Sequence, residues 1–393
     1  GFAVAGLLSG AIMSFVAFTP GAAVQPAGAV DGLRLFYSGV PIFGTLLAMW
    51  IMRNYDLDEK RAMEVNAELE RRRQRASASS SQGSGARPWL AEHGLLLPGV
   101  EASPLAGKSS DEIRTLYAEQ FQRGLHGLCF SAYTQGQRAG DQLSEAQVRR
   151  RIALIAPHTR WVRSFACTEG HESIPRLARE LGLKTMVGAW LSRDRERNER
   201  EVDALITLAR QGLVDIAVVG NEVLLRGDLP EQELLAYVAR VRAAVPDDVP
   251  VGCVDAYFQF LERPALTAAC DVLLPNCYPF WEGAGIDVAA QYLRRMHGLV
   301  KAAGGDKPVI VTETGWPGSD EAPGQAPDHA VGAAVPSPDN AMRYFIDVQQ
   351  WVRGEGIDLF YFSSFDEPWK LGQEGEVGTQ WGLWDKQERP KYG

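Results

Sequence analysis

The sequence predicts an α/β chain: two transmembrane helices, then a (β/α)8 TIM barrel. Three observations predict it. From residue 127 onward, short apolar runs alternate eight times with amphipathic segments of helical period. Two of the runs, VVGNEV at 218–223 and VIVTETGWP at 309–317, are β-branched and end on a glutamate, the pattern of parallel strands buried on both faces. Before residue 53 lie two stretches without any charged side chain.

Those stretches come first in the chain. Residues 1–20 and 35–52 carry no Asp, Glu, Lys or Arg, and each approaches the ~20 apolar residues that cross a bilayer. The loop between them holds only Asp31 and Arg34, whereas Arg53, Lys60, Arg61, Arg71, Arg72, Arg73 and Arg75 follow the second. The excess of Lys and Arg puts the later side in the cytoplasm. The first stretch has no basic n-region, which argues against a signal peptide. A start at glycine suits a fragment of a longer membrane protein. Residues 56–75 read as a short charged helix, and 76–87 (ASASSSQGSGAR) as a flexible linker.

The domain expected beyond the linker spans 88–393. A helix is expected over 110–123, and strands over 128–133, 161–165, 185–190, 216–220, 249–254, 272–277, 309–314 and 359–363. Helical patterns lie between them: Val148/Ile152/Ile155, Ile174/Leu177/Leu181 and Leu234/Val238/Val241. Eight strand–helix units with right-handed crossovers close into a barrel. A doubly wound sheet would carry a phosphate loop, and no G-x-G-x-x-G follows a strand here.

The barrel gives the glutamates their meaning. Glu222 ends the fourth strand and Glu313 the seventh, so both open on the C-terminal face where such barrels carry their chemistry. A charge at the end of an apolar run costs free energy unless it meets solvent or works in a site. Two carboxyls about 5–5.5 Å apart serve retaining glycoside cleavage, one as acid/base and one as nucleophile. The same rim carries Tyr133, Arg163, Trp190, Asn276, Tyr278 and, after strand eight, Glu367, Trp369 and Lys370. Aromatic faces stack on sugar rings, while amides and carboxylates bind hydroxyls. The Gly/Pro/Ala-rich loop 318–338 is long enough to wall the site.

Composition narrows the partners. A net charge of −9 argues against nucleic acid. The five cysteines contain no C-x-x-C pair and read as small buried hydrophobes, which favours a reducing compartment. The six histidines show no metal spacing, so no metal and no cofactor are expected.

GNEV at 220–223, NCYPF at 276–280, TETGWP at 312–317 and FDEPWK at 365–370 resemble glycoside hydrolase family 17, the β-1,3-glucanases and glucanosyltransferases, over about residues 125–385. The resemblance implies Glu222 as acid/base and Glu313 as nucleophile, with Asn221 on the 2-hydroxyl of the reacting sugar. It implies Glu367 and Lys370 as an auxiliary pair beside the nucleophile, Tyr278 as its aromatic support, and Trp316 as a further substrate-binding residue. Residues 1–75 resemble the C-terminal end of glycoside–pentoside–hexuronide sugar:cation symporters. Together these imply a retaining hydrolase or transglycosylase of β-1,3-linked gluco-oligosaccharides, fused to part of a sugar permease and held to the membrane through residues 1–52. The catalytic domain is then expected in the cytoplasm. The alternatives are a non-catalytic carbohydrate-binding barrel and a regulatory tail of a transporter.

Overall fold

The computed structural model of the chain describes residues 28, 31, 89–94, 102–318 and 330–392. The chain divides into two units, Gly1–Ser77 and Ala78–Gly393. The expected spans 1–20 and 35–52 and the charged helix 56–75 lie outside the described residues. Among the described residues, no helix is long and apolar enough to cross a membrane.

The second unit is a closed barrel of eight parallel strands in sequence order. They are β1 (Leu125–Cys129), β2 (Thr159–Ser164), β3 (Lys184–Ala189), β4 (Ile216–Asn221), β5 (Val251–Ala256), β6 (Leu274–Asn276), β7 (Val311–Thr314) and β8 (Leu359–Tyr361). Closure comes from β1 pairing with β8, Gly127 opposite Phe360 and Leu128 opposite Tyr361. The number and order of strands are those the sequence predicts.

The first strand differs most, starting at Leu125 rather than 128. Glycine at 127 lowers strand propensity, which hides the start in the sequence. The fold uses that glycine for space: a Cβ there would sit 2.4 Å from the Phe360 ring.

The helices cover the strands through the faces their periodicity marks. Val148, Ile152, Ile155, Val238 and Val241 are fully buried, and Leu234 nearly so. Each such side chain contributes roughly 1.5–3 kcal/mol by leaving water. Leu181 is an exception: its helix ends at Glu180, and Leu181 is exposed at the C-cap. The helix expected over 110–123 forms as Ser110–Gln122, started by a capping box between Ser109 and Glu112.

A further helix, Trp89–Glu92, is too short to leave a periodic signal. It buries Trp89 and Leu90. The Trp89 ring packs near Tyr257 and Phe258, and its Nε1 donates to Glu262 at 2.6 Å. All five cysteines are buried and free.

Candidate active site

The site is built where β4 and β7 end. β4 does not run straight into its loop. Its pairing with β5 shifts between Val218 and Asn221, Gly220 has φ +82°, and Glu222 itself has φ +50°. A non-glycine residue in the left-handed region costs on the order of 1–2 kcal/mol, so the surroundings must hold it there. Several contacts do. The Glu222 N–H donates to the Val254 carbonyl at 2.8 Å. The buried Asp255 carboxylate accepts from the N–H groups of Leu224 (2.9 Å) and Leu225 (3.3 Å). Arg226 donates to the Asn221 carbonyl.

The two glutamates stand in unlike surroundings. Glu313, inside β7, is buried; it accepts from Arg163 Nη1 at 2.8 Å and from the Tyr278 hydroxyl at 2.7 Å. A guanidinium and a phenol both favour the ionised carboxylate. Burial works against the Arg163 charge most strongly, but Glu313 and Cys129 together more than offset it and raise its pKa. Burial, and then the charge of Glu313, push the Tyr278 hydroxyl well above its usual range, so it remains a donor.

Glu222 has a neutral partner instead. Asn276 Nδ2 donates to it at 2.9 Å, and Thr312 Oγ1 donates to Asn276 Oδ1 at 2.8 Å, which fixes that amide. Burial first, and then the charges of Glu313 and Asp255, raise the Glu222 carboxyl to about 7. Asn276 lies opposite Glu313 in the β6–β7 register, which puts the partner of Glu222 on the strand next to Glu313. Arg163 Nη2 donates to Asn221 Oδ1 at 2.6 Å, which leaves the Asn221 NH2 as the donor end. Glu222, Glu313, Arg163, Asn221, Asn276 and Tyr278 thus form one polar network: a proton donor near neutral pH facing an anion held by a cation.

A family model for the BtgE/BtgC glycoside hydrolase domain matches residues 127–382, the barrel that carries this network. The chain belongs to the BtgE/BtgC glycoside hydrolase family. This glycoside hydrolase is 29% identical over 277 residues to a glucan 1,3-beta-glucosidase of Arthroderma benhamiae, covering 64% of the chain and 85% of that protein. It is 27% identical over 315 residues to a probable glucan endo-1,3-beta-glucosidase, btgC, of Aspergillus terreus; there the match covers 73% of the chain but 48% of the relative. Among solved structures, the family 17 beta-1,3-glucanosyltransferase of Rhizomucor miehei superposes with a TM-score of 0.60 at 28% identity, covering 69% of the chain and 96% of that protein. An active-site mutant of that transferase has been solved in complex with laminaritriose.

The remaining expected site residues of the hydrolase separate into two groups. Tyr133, Trp190 and Trp369 stay half-buried. Tyr133 meets Trp369 edge-on at 5.9 Å, and Trp190 lies under the Arg226 guanidinium at 4.5 Å. Trp316 is different. It is 1% exposed, packs on Phe280 and Tyr344, and donates to the Val335 carbonyl, so it is wall packing with no face for a sugar.

Lys370 pairs with Glu367 at 3.0 Å and Glu374 at 3.7 Å, while the cation directly on Glu313 is Arg163. Burial would strip Lys370 of its proton, but Glu367 and Glu374 outweigh it and raise its pKa. The expected wall 318–338 is described only at its ends, where Ala333 donates to the Gly283 carbonyl in the loop after β6.

Two residues escaped the sequence reading. Asp255 ends the run VGCVD at 251–255, the same signal of a charge closing an apolar strand that marked the glutamates. Arg226 sits four residues after Glu222, one helical turn on, and its N–H donates to the Glu222 carbonyl at 2.9 Å. Among the described residues, no group of three or more His, Cys, Asp or Glu is placed to hold a metal ion.

Proposed function

We propose that the chain is a retaining hydrolase or transglycosylase of β-1,3-linked gluco-oligosaccharides. The observation that carries this reading is the asymmetry of the two glutamates. Glu313, paired with Arg163 and Tyr278, is the anion a nucleophile must be; Glu222, raised to about 7, holds the proton an acid must give. The glucan 1,3-beta-glucosidase and the beta-1,3-glucanosyltransferase that the chain resembles point to the same substrate class.

The reaction then runs in two steps. Glu222 gives its proton to the leaving glycosidic oxygen as a Glu313 carboxylate oxygen attacks the anomeric carbon, and the carbon–oxygen bond to the leaving sugar breaks. Glu222, now ionised, takes a proton from water or from an acceptor sugar hydroxyl, which attacks the same carbon and releases Glu313. Water gives hydrolysis and a sugar gives transfer, with the configuration retained in both. Asn221, oriented by Arg163, donates to the 2-hydroxyl of the reacting sugar. Trp190, Tyr133 and Trp369 offer stacking faces. A purely binding barrel has no use for two carboxyls so unlike in surroundings.

Incubation with β-1,3-gluco-oligosaccharides, followed by mass spectrometry and anomeric proton NMR, tests the reading. Shorter products that appear first as β-anomers identify a retaining hydrolase, and products longer than the input identify a transferase. First-formed α-anomers would refute the assignment of Glu313.

The uncharged stretches within 1–52 and the basic residues that follow support a membrane anchor, a permease-like fusion and a cytoplasmic catalytic unit. A reporter joined after Arg87 that is found outside the cell would refute that placement.

A further inference from the structure

Arg226 takes no part in the steps above, yet its guanidinium is spent on three acceptors, one of them on a neighbouring segment. Nη1 donates to the Asn221 carbonyl, Nη2 to the Leu191 carbonyl at 2.9 Å, and Nε to Asp228 Oδ2 at 2.8 Å. The guanidinium carbon also lies 4.5 Å from the centre of the Trp190 ring. The Asn221 carbonyl belongs to the peptide that leads into Glu222, and the Leu191 carbonyl lies one residue past Trp190. Two neighbouring strand ends, β4 with its carboxyl and β3 with its aromatic, are therefore joined through one side chain.

We propose that Arg226 is a positioning residue that locks the Glu222 carboxyl and the Trp190 ring into one rigid unit, holding the proton donor at a fixed place over the stacked sugar. The proposal rests on the assignment of Glu222 as acid/base. Glu222 sits at φ +50°, so a clamp on the peptide before it sets where its side chain starts. Proton transfer is sensitive to such placement, and a 1 Å error can cost about 100-fold in rate. Only a planar, forked cation can hold three acceptors and stack on a ring at once; a lysine ammonium cannot reproduce this.

The clamp is also a charge. Glu222 is faced by Glu313 from β7, Asp255 from β5, Tyr278 from the loop after β6 and Arg226 from its own turn; of these, Arg226 is the cation and favours the ionised form.

Three variants and two substrates test the proposal. Arg226→Met should lower kcat/KM on β-1,3-gluco-oligosaccharides about 10- to 100-fold. The basic limb of kcat/KM should move to higher pH. The same variant should lose far less kcat/KM on a dinitrophenyl β-glucoside, because kcat/KM reports the first step, in which that leaving group departs without a proton. Arg226→Lys should restore the basic limb but not the rate. Carbon-13 titration of the Glu222 carboxyl, identified by its absence in Glu222→Gln, reads the effect without turnover and should shift upward in Arg226→Met. Equal losses of kcat/KM on both substrates, or a titration coincident with wild type, overturn the proposal. If wild type itself leaves the oligosaccharides intact, the proposed function fails, while the titration still decides on Arg226.

Discussion

Glu222→Gln should abolish turnover and make the protein more stable above neutral pH. The Glu222 carboxyl is raised from 4.5 to about 7, first by burial and then by the charges of Glu313 and Asp255. In the unfolded chain the group loses its proton near 4.5; in the folded chain it keeps it to about 7. Below 4.5 both states are protonated and the site costs nothing. As pH rises through this window, folding must work against the charge, and the cost is complete above about 7. At about 1.4 kcal/mol per pH unit the cost reaches about 3 kcal/mol, an upper bound because Glu222 keeps some exposure to the groove. Glutamine keeps the shape, still accepts from Asn276 and cannot ionise. Urea denaturation of both proteins, followed by circular dichroism near pH 4.5, 6 and 8, measures the difference. The variant should match wild type at the lowest pH and exceed it at the highest. A gap that stays constant across the three, or a less stable variant at pH 8, would show that Glu222 ionises in the fold as it does in water.

Arg163→Met strands the Glu313 carboxylate in a buried site; breaking such a pair costs about 3–5 kcal/mol, so the variant should unfold at lower urea. A urea midpoint like that of wild type would count against Arg163 as the cation that holds the nucleophile. Asp255→Asn can keep its oxygen toward the Leu225 and Ala256 N–H groups, gives up the acceptor of the Leu224 N–H and removes a like charge, so the basic limb of kcat/KM should move to lower pH, opposite to Arg226→Met. Gly127→Ala drives a Cβ into Phe360 and should cost about 1–3 kcal/mol in thermal denaturation, with Phe360→Leu in the same chain recovering part of it.

What could be read from the sequence follows from how each feature is encoded. Eight apolar runs spaced by helical patterns repeat enough to fix a barrel, and a charge closing such a run marks Glu222 and Glu313. The strand edge at Leu125 could not be read, because the glycine that blurs it answers to Phe360, far along the chain. Trp316 misled for a related reason. A tryptophan beside the nucleophile looks like a sugar platform, and only its burial against Phe280 and Tyr344 shows that it is not open to a sugar. The cation on Glu313 lies on β2, 150 residues before it, so the sequence places Arg163 on the rim without showing which carboxyl it meets. Asp255 was legible by the very rule applied to the glutamates.

The closing seam of the barrel sets a schedule for the chain during its synthesis. His126 and Leu359, joined across that seam, are 233 residues apart. At about 5–20 residues per second, a ribosome needs roughly 10–50 s to deliver the last strand after the first has emerged. Throughout that interval one flank of β1 has no neighbour, and an unpaired apolar strand edge is a template for other chains. The charge cluster is equally late, since Arg163 is made long before Glu313 and lacks its counter-ion until β7 arrives. Slowing synthesis downstream of β1 should therefore lower the soluble yield, and holdase chaperones that cover the open flank should restore it.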